Sequence, residues 1–374
     1  MLDCPHRPPC PGCPRLGETD VAPSARATLE SVALERGLTL SVVRGADVGF
    51  RHRARLAIRG RSRSPKIGIF ESGSHRIVDI PRCLVHHPLI NEVAAVVRAT
   101  IRDTGTPVYS DDAHAGLLRY LQVVVERRTT TAQVVVVTND ATVAASEPFL
   151  SALAARLGDR LHSLFWNGNP ARTNSILGPH WHRQSGGPGV EELIGGARVF
   201  YPPGAFGQSH LELATRMVDI VHGSVPDGAR VLELYAGVGA IGLGLAARVK
   251  ELAMNELVPE SLQGLELGVA ALEPGARART RVVPGAASDA LGAMPAPDVI
   301  IADPPRKGLE PALLASLVAA PPPELVYVAC GLESFLSDER ALTASRRLRL
   351  VELAAYDMFP HTEHVETLAR FERV

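Results

Sequence analysis

Val231-Leu232-Glu233-Leu234-Tyr235-Ala236-Gly237-Val238-Gly239-Ala240-Ile241-Gly242 is the stretch that decides how this chain is read. A short apolar strand runs straight into glycines spaced G-x-G-x-x-G, at Gly237, Gly239 and Gly242. Such a loop brings backbone close to a ligand and lets the next segment pack on the strand. Glu256 follows nineteen residues after Gly237, the spacing at which an acid meets ribose hydroxyls. A glycine turn that serves packing alone has the same pattern, and so does a nicotinamide site.

Two neighbours of the loop favour adenosylmethionine over a nicotinamide. Glu233 lies just before the glycines, where an acid suits a cationic sulfonium and repels a pyrophosphate. Further on, Ile300-Ile301-Ala302-Asp303-Pro304-Pro305-Arg306-Lys307-Gly308 puts Asp303 at the end of a buried strand, before a rigid proline corner. A D-P-P corner on a fourth strand belongs to methyltransferases acting on planar nitrogenous groups; an ordinary helix cap is the bland reading. Beyond Tyr201 strands alternate with helical segments: strands at 230–234, 251–256, 299–302, 325–329 and 348–355, helices at 240–248, 259–272 and 311–319. This repetition predicts an α/β domain with a doubly wound, mostly parallel sheet whose ligands sit at the carboxyl ends of its strands. Cys330, ending the strand 326–330, would reach that edge beside Asp303. Residues 358–366 set acids and histidines on the closing strands.

The first half reads differently. Arg51-His52-Arg53-Ala54-Arg55-Leu56-Ala57-Ile58-Arg59 alternates in strand fashion, and 67–70, 120–126 and 133–138 read as further short strands, with helices near 25–36, 87–101 and 147–157. From Arg44 to Arg82 there are ten basic residues against three acidic, a patch suited to nucleic acid or a solvated β-face. The whole chain, 374 residues at net charge −1, conceals it. A composition of 46% hydrophobic and 21% charged residues excludes disordered and collagenous classes. No apolar run approaches the roughly 18 residues of a membrane span, and the first residues do not form a secretory signal, so a cytoplasmic chain is expected. The Gly/Ser/Pro-rich stretch 184–189 predicts a boundary.

Five cysteines are an odd number for a disulfide framework, and a reducing compartment turns them toward metal or chemistry. Cys4, Cys10 and Cys13 are spaced C-x5-C-x2-C, and Cys83 follows after 69 intervening residues. Four thiolates suit a tetrahedral zinc or a cubic iron-sulfur cluster; three in one proline-rich loop with one distant partner is nearer the cluster pattern, since zinc sites pair two short hooks. Unligated, they would be oxidation liabilities.

Taken together, the motifs resemble the RNA uracil-C5 methyltransferases over nearly the whole chain. Cys330 is followed by a helix start, Gly331-Leu332-Glu333-Ser334-Phe335-Leu336-Ser337-Asp338; Phe359 to Glu366 matches an F-P-H-T-x-H-V-E block; and Phe206-Gly207-Gln208-Ser209-His210 matches an F-x-Q-x-N block. Two positions depart: Gly331 stands where the family has Asn, and His210 replaces the Asn of the last block. The resemblance implies a Rossmann-like class I methyltransferase domain, with adenosylmethionine contacts at Gln208, Tyr235, Glu256 and Asp303 and with Glu233, Gly237 and Gly239 around them. Asp289 would approach the adenine. It implies Cys330 as the nucleophile that adds to C6 of a flipped uracil and Glu366 as the base that removes the C5 proton. His361, Glu363 and His364 would shape the closing strands. It also implies a [4Fe-4S] cluster on Cys4, Cys10, Cys13 and Cys83, as in the shorter enzymes of 23S ribosomal RNA that lack an N-terminal β-barrel. The expected division is 1–43, cluster loop and first helix; 44–195, β-rich RNA-binding domain; 196–374, methyltransferase domain. A monomer without an obligate protein partner is expected, with transfer RNA as an alternative substrate and a degenerate, non-catalytic RNA-binding iron-sulfur protein as an alternative role.

Overall fold

The computed structural model describes residues 2–374, which divide into two compact units. One comprises 18–45, 193–201 and 205–374 and is built on an eight-stranded sheet. Its strands run in the order Ser41–Val43, Leu348–Tyr356, Glu366–Arg373, Glu324–Ala329, Val299–Ala302, Arg230–Leu234, Glu251–Glu256 and Thr280–Pro284. The described pairings are parallel except the two made by Glu366–Arg373, which is antiparallel to both neighbours. Apolar runs such as Val299–Ala302 are wholly buried, as strands covered on both faces require. Leu232, Ile300, Leu325, Tyr327 and Phe371 pack in one core with Leu313, Phe335 and Leu342 from the helices Pro311–Ala319 and Leu332–Ala344.

Leu29 joins that core too, with Ala25 and Ala33. The segment 1–43, expected as one piece, is therefore divided: the apolar face of the helix Pro23–Glu35 belongs to this sheet, whereas residues up to Gly17 group with the other unit. Two local expectations are also corrected. No α-helix forms over 240–248; a 3-10 turn, Gly242–Leu245, stands there, because glycines at 237, 239, 242 and 244 weaken a helix and the first two take positive φ. Residues 358–365 are a loop between the closing strands and not part of them; Pro360 and the positive φ of His361 interrupt the ladder, and only Glu366 starts a strand.

The second unit carries a seven-stranded sheet in the order Ile77–Asp79, Ser64–Phe70, Arg53–Arg61, Leu118–Glu126, Thr131–Thr138, Leu161–Gly168 and His180–Gly186. Only Thr131–Thr138 and Leu161–Gly168 pair in parallel, joined through the helix Glu147–Leu157. Ala54, Leu56 and Ile58 turn inward against Leu89, Val93 and Val97 of the helix Pro88–Thr104, so the arginines between them fall on the opposite face. The final strand runs through part of 184–189, and the break between units comes after Glu192.

The basic stretch is not a uniform free surface. Arg59 is buried, stacked over Phe70, Tyr109 and Tyr120 and forked onto Asp111 at 2.6 and 3.0 Å. Arg76 pairs with Glu71, and Arg55 donates to Gln122 at 2.7 Å. Arg61, Arg63 and Lys66 remain exposed at the strand turn. Among the described residues no helix is long and apolar enough to cross a membrane.

Candidate active site at the carboxyl edge of the sheet

Five chemistry-bearing residues meet one edge of the eight-stranded sheet because of where strands begin and end. Tyr235, Asp303 and Cys330 directly follow parallel strands, and Glu256 is the last residue of one. Glu366 is the first residue of the antiparallel strand, which returns it to the same edge. Ala329 pairs with Thr367, so the next position along each strand sets Cys330 opposite Glu366.

The glycine loop is shaped by close approach. Gly237 and Gly239 have φ of +59° and +82°, and a Cβ at 239 would fall 2.7 Å from Leu265 Cδ1. At 242 a Cβ would collide with Glu233 Oε2. Glu256 accepts from Gly237 N–H at 2.8 Å with one oxygen and from Leu257 and Val258 N–H at 2.7 and 2.6 Å with the other. One lone-pair position of four thus stays open for a ligand hydroxyl. Tyr235, at φ +59°, accepts from Glu310 N–H at 3.3 Å and links the loop to the proline corner.

Electrostatics ties the set together. Burial pushes the Glu233 carboxyl up to about 8, with Asp303 and Glu256 adding repulsion and Gly242 N–H opposing it. Asp303 is pushed up to about 7 by burial. Cys330 is raised to about 11 by burial and then by Glu366 and Asp303, while Arg306 favours the thiolate. Glu366 is held well above the usual carboxylate range by burial and Asp303, again opposed by Arg306. It is 1% exposed, and neither carboxyl oxygen has a hydrogen-bond partner. An enclosed acid left without donors fits a site completed by a ligand. Crowded carboxyls around a glycine loop likewise fit a cationic ligand such as a sulfonium.

Arg306 was not singled out by sequence reasoning, although it lies three residues after Asp303 in the corner already quoted. Its backbone is placed by Ser334, whose hydroxyl donates to Arg306 O at 2.9 Å. Asp338 secures the same corner, accepting from Leu309 N–H at 2.9 Å and from Tyr327 OH at 2.7 Å. Gly331 now has a local reason: a Cβ there would sit 2.5 Å from Arg306 O. His210 does too. It is buried and caps the helix Leu211–Ser224, its Nδ1 accepting from Leu213 N–H at 3.4 Å. Gln208 is half-buried in the preceding loop, and Asp289 is exposed on the short helix Ala287–Ala290. His361 is buried with its ring against Glu18 O at 3.2 Å, and His364 is driven toward its neutral form by burial and Arg306. Glu363 is exposed.

The other four cysteines lie in the second unit. Burial raises Cys13 to about 11, and Cys83, Cys10 and Cys4 add to the rise, so the four thiols are electrostatic neighbours. The Cys10 sulfur accepts from Gly12 N–H, and that of Cys83 from Val85 and His86 N–H. His6 accepts from Arg82 N–H at 3.2 Å, fastening the two loops. Among the described residues no three His, Cys, Asp or Glu side chains converge tightly enough to hold a metal ion.

The central parallel strands, the glycine loop and the antiparallel strand set between the last two parallel ones define a class I methyltransferase. No family model matches the chain. It is 33% identical over 378 aligned positions to an uncharacterized RNA methyltransferase of Protochlamydia amoebophila, covering 100% of this chain and 98% of that one. With an uncharacterized RNA methyltransferase of Nostoc it shares 28% identity over 88% of its own length and 71% of the relative's. The crystal structure of Pyrococcus abyssi tRNA (uracil-54, C5)-methyltransferase with S-adenosyl-L-homocysteine superposes with a TM-score of 0.76 at 25% identity, covering 93% of this chain and 81% of that one. The chain belongs to the RNA methyltransferase family, the one whose uracil-C5 members its motifs resemble, and it is an adenosylmethionine-dependent RNA methyltransferase.

A cationic ligand should drive Glu233 and Asp303 toward ionisation. Both are partly protonated near neutrality, so binding of adenosylmethionine releases protons at pH 7, and affinity climbs from about pH 6 to pH 8.5. Titration calorimetry in two buffers of different ionisation enthalpy measures the release. Adenosylhomocysteine, lacking the sulfonium charge, should release fewer protons, and Glu233→Gln should lower the count. Equal release by both ligands would refute the charge assignment.

Proposed function

We propose that this protein methylates C5 of a uridine in RNA, at a site in 23S ribosomal RNA, through a covalent adduct with Cys330. The observation that carries the reading is the pairing of Cys330 with Glu366 at the carboxyl edge, the latter enclosed without donors. Uracil C5 is a weak nucleophile. Cys330 sulfur therefore bonds to C6, and the ring electrons move onto C5 as an enolate. Arg306 assists by favouring the thiolate, whose proton passes to solvent. Bound adenosylmethionine supplies an electrophilic methyl group, which C5 takes. Glu366 then removes the C5 proton, the C6–S bond breaks, and the thiolate is restored. A carboxylate whose pKa is raised by its surroundings is a stronger base once ionised, which suits this step. Gln208, Tyr235, Glu256 and Asp303, with Gly237 and Gly239, are assigned to the cofactor and the uracil edge. The uridine must leave its stack to enter, so a loop or locally open RNA is the substrate form.

Transfer RNA is the second reading, favoured by the Pyrococcus abyssi enzyme of similar fold. The degenerate-scaffold reading loses its two supports, since Gly331 and His210 both answer to local packing. A cytosolic monomer agrees with this assignment.

Cys4, Cys10, Cys13 and Cys83 are assigned to a [4Fe-4S] cluster. Backbone N–H groups aimed at the sulfurs of Cys10 and Cys83 fit ligating thiolates, which need donors. When bound, the cluster would pin the N-terminal loop to the loop around Cys83; uracil methylation itself requires no electron transfer.

Cys330→Ala should abolish methyl transfer to RNA, whereas Glu366→Gln should accumulate an RNA-protein adduct resistant to denaturing gels; normal turnover by the alanine variant would end the mechanism. Nucleoside mass spectrometry with reverse-transcription mapping, applied to ribosomal and transfer RNA of a deletion strain, should show 5-methyluridine missing from one 23S position. Protein purified without oxygen should be brown, with about four irons per chain; stoichiometric zinc in colourless protein would refute the cluster. Reversing Arg61, Arg63 and Lys66 to Glu should weaken RNA binding and flatten its dependence on salt, by about 0.7 to 0.9 in log-log slope for each phosphate that is no longer neutralised.

A further inference from the structure

One end of the seven-stranded sheet brings together two segments far apart in sequence. Leu118, Thr138, Gly168 and His180 form a row across four neighbouring strands. On the next strand Ala57 pairs with Tyr120, so Arg61 and the turn to Ser64 project beyond the same row. The exposed Arg61, Arg63 and Lys66 therefore share this end with the loop 169–179, which joins Leu161–Gly168 to His180–Gly186.

Surface loops are ordinarily mobile, but this one is pinned along its length. Asn169 N–H donates to Thr138 O at 2.8 Å, and its buried amide donates to Ser175 O at 2.8 Å and Ile176 O at 3.1 Å. Asn167, also buried, donates to Gly178 O at 2.9 Å and His180 O at 3.0 Å and accepts from Gly178 N–H at 2.8 Å. Arg119 donates to Asn169 O and Ala171 O, and the His114 ring meets Pro170 O at 3.0 Å. Ile176 and Leu177 pack on Val135, Val137 and Phe165. What this bracing holds out to solvent is polar: Arg172, Thr173 and Asn174 are exposed, and Arg172 is steered by donating to Asp112 O at 3.2 Å. No acid occurs between Asp159 and Glu191, a stretch that contains Arg172 and Arg183, and Asp111 is already taken up by Arg59.

We propose that the loop 169–179 is a second RNA contact at the sheet end of the basic turn, and that it holds a single-stranded segment of the substrate, Arg172 taking a phosphate and Asn174 reading a base edge. The inference rests on RNA being the substrate; neither the target base nor the cysteine chemistry enters it. An arginine fork matches phosphate oxygens, and an asparagine amide presents a donor and an acceptor together, the pattern that base edges require. Unpaired RNA exposes those edges, whereas the deep groove of an RNA helix hides them. A loop already fixed loses little freedom on binding, so the bonds that order it serve recognition. From the turn 61–64 to the loop is about four strand spacings, roughly 20 Å, which an extended strand of RNA crosses in a few nucleotides.

The test uses the full-length chain as wild type, Arg172→Ala, Asn174→Ala and, as an exposed control on the turn at the opposite end of the sheet, Arg128→Ala. Filter binding is read against unmodified 23S ribosomal RNA, unmodified transfer RNA and a random-sequence RNA over a range of salt, and ultraviolet cross-links to the same RNAs are mapped by mass spectrometry. Arg172→Ala should weaken binding of every probe several-fold and lower the log-log salt slope by about 0.7. Asn174→Ala should weaken binding of the transcript that the wild type prefers and leave the random RNA unchanged. Cross-linked nucleotides should fall within residues 169–175, and Arg128→Ala should match wild type. Unchanged affinity and slope in Arg172→Ala, or an equal loss in Arg128→Ala, would overturn the contact, as would a loss that comes with a lowered melting temperature. An Asn174→Ala protein that weakens all probes alike, or none, would overturn the base reading. Binding is read without turnover, so a wrong target base or a failed cysteine adduct moves none of these outcomes, whereas Cys330→Ala tests that chemistry alone.

Discussion

The site depends on one strand running the wrong way. Were Glu366–Arg373 parallel to its neighbours, its first residue would lie at the far edge of the sheet, a strand's length from Cys330. Antiparallel pairing with Glu324–Ala329 instead carries residue 366 to the carboxyl edge, one step beyond the Ala329 and Thr367 pair. The same strand pairs on its other side with Leu348–Tyr356, where Tyr356 stands across from Glu366. Phe371, fully buried in the common core, anchors this arrangement from the other end of the strand. A single topological choice thus brings a thiol and a carboxyl group together from positions 36 residues apart in sequence.

That juxtaposition has an electrostatic cost. Glu233, Asp303 and Glu366 are all pushed upward, and burial leads the causes for each. Arg306 acts against this crowding at both Cys330 and Glu366, and it reaches them from a proline corner that Asp338 holds in place. Placing the cation on a braced corner, and not on the sheet, lets one charge favour the ionised form of both groups. Burial thus biases these three carboxyls toward their neutral forms.

Much of this was legible in sequence because it is local. Glycine spacing, an acid at a strand end and a cysteine before a helix start all leave signatures within ten residues, and Gly239 and Gly242 occupy positions where a side chain has no room. What was not legible depends on partners far along the chain. The helix Pro23–Glu35 has only Ala25, Leu29 and Ala33 to mark its buried face, and nothing in that pattern says which sheet will receive it. Arg59 reads as one more charge in a basic run, yet its neighbours Tyr109, Asp111 and Tyr120 arrive from fifty or more residues away and enclose it. Charge counting treats such a residue as surface. The 358–365 block leaves the closing strands for a local reason: Pro360 and His361, at φ +68°, break the ladder before Glu366 resumes it.

The two departures from the family motifs follow from the same distinction between local identity and distant geometry. A histidine can replace an asparagine at a helix start because either side chain presents an acceptor to the first turn, and Gly45 leaves room for the ring, since a Cβ there would lie 2.7 Å from His210 Cε1. A glycine can stand after Cys330 because the backbone of the arginine corner occupies the space a side chain would take, with Ser334 bonding to both Arg306 O and Gly331 O. Motif comparison registers both as defects. The structure shows each as one half of a matched pair, the other half being Gly45 in the first case and the Arg306 backbone in the second. Neither replaces Cys330 or Glu366, whose placement opposite one another follows from the antiparallel strand.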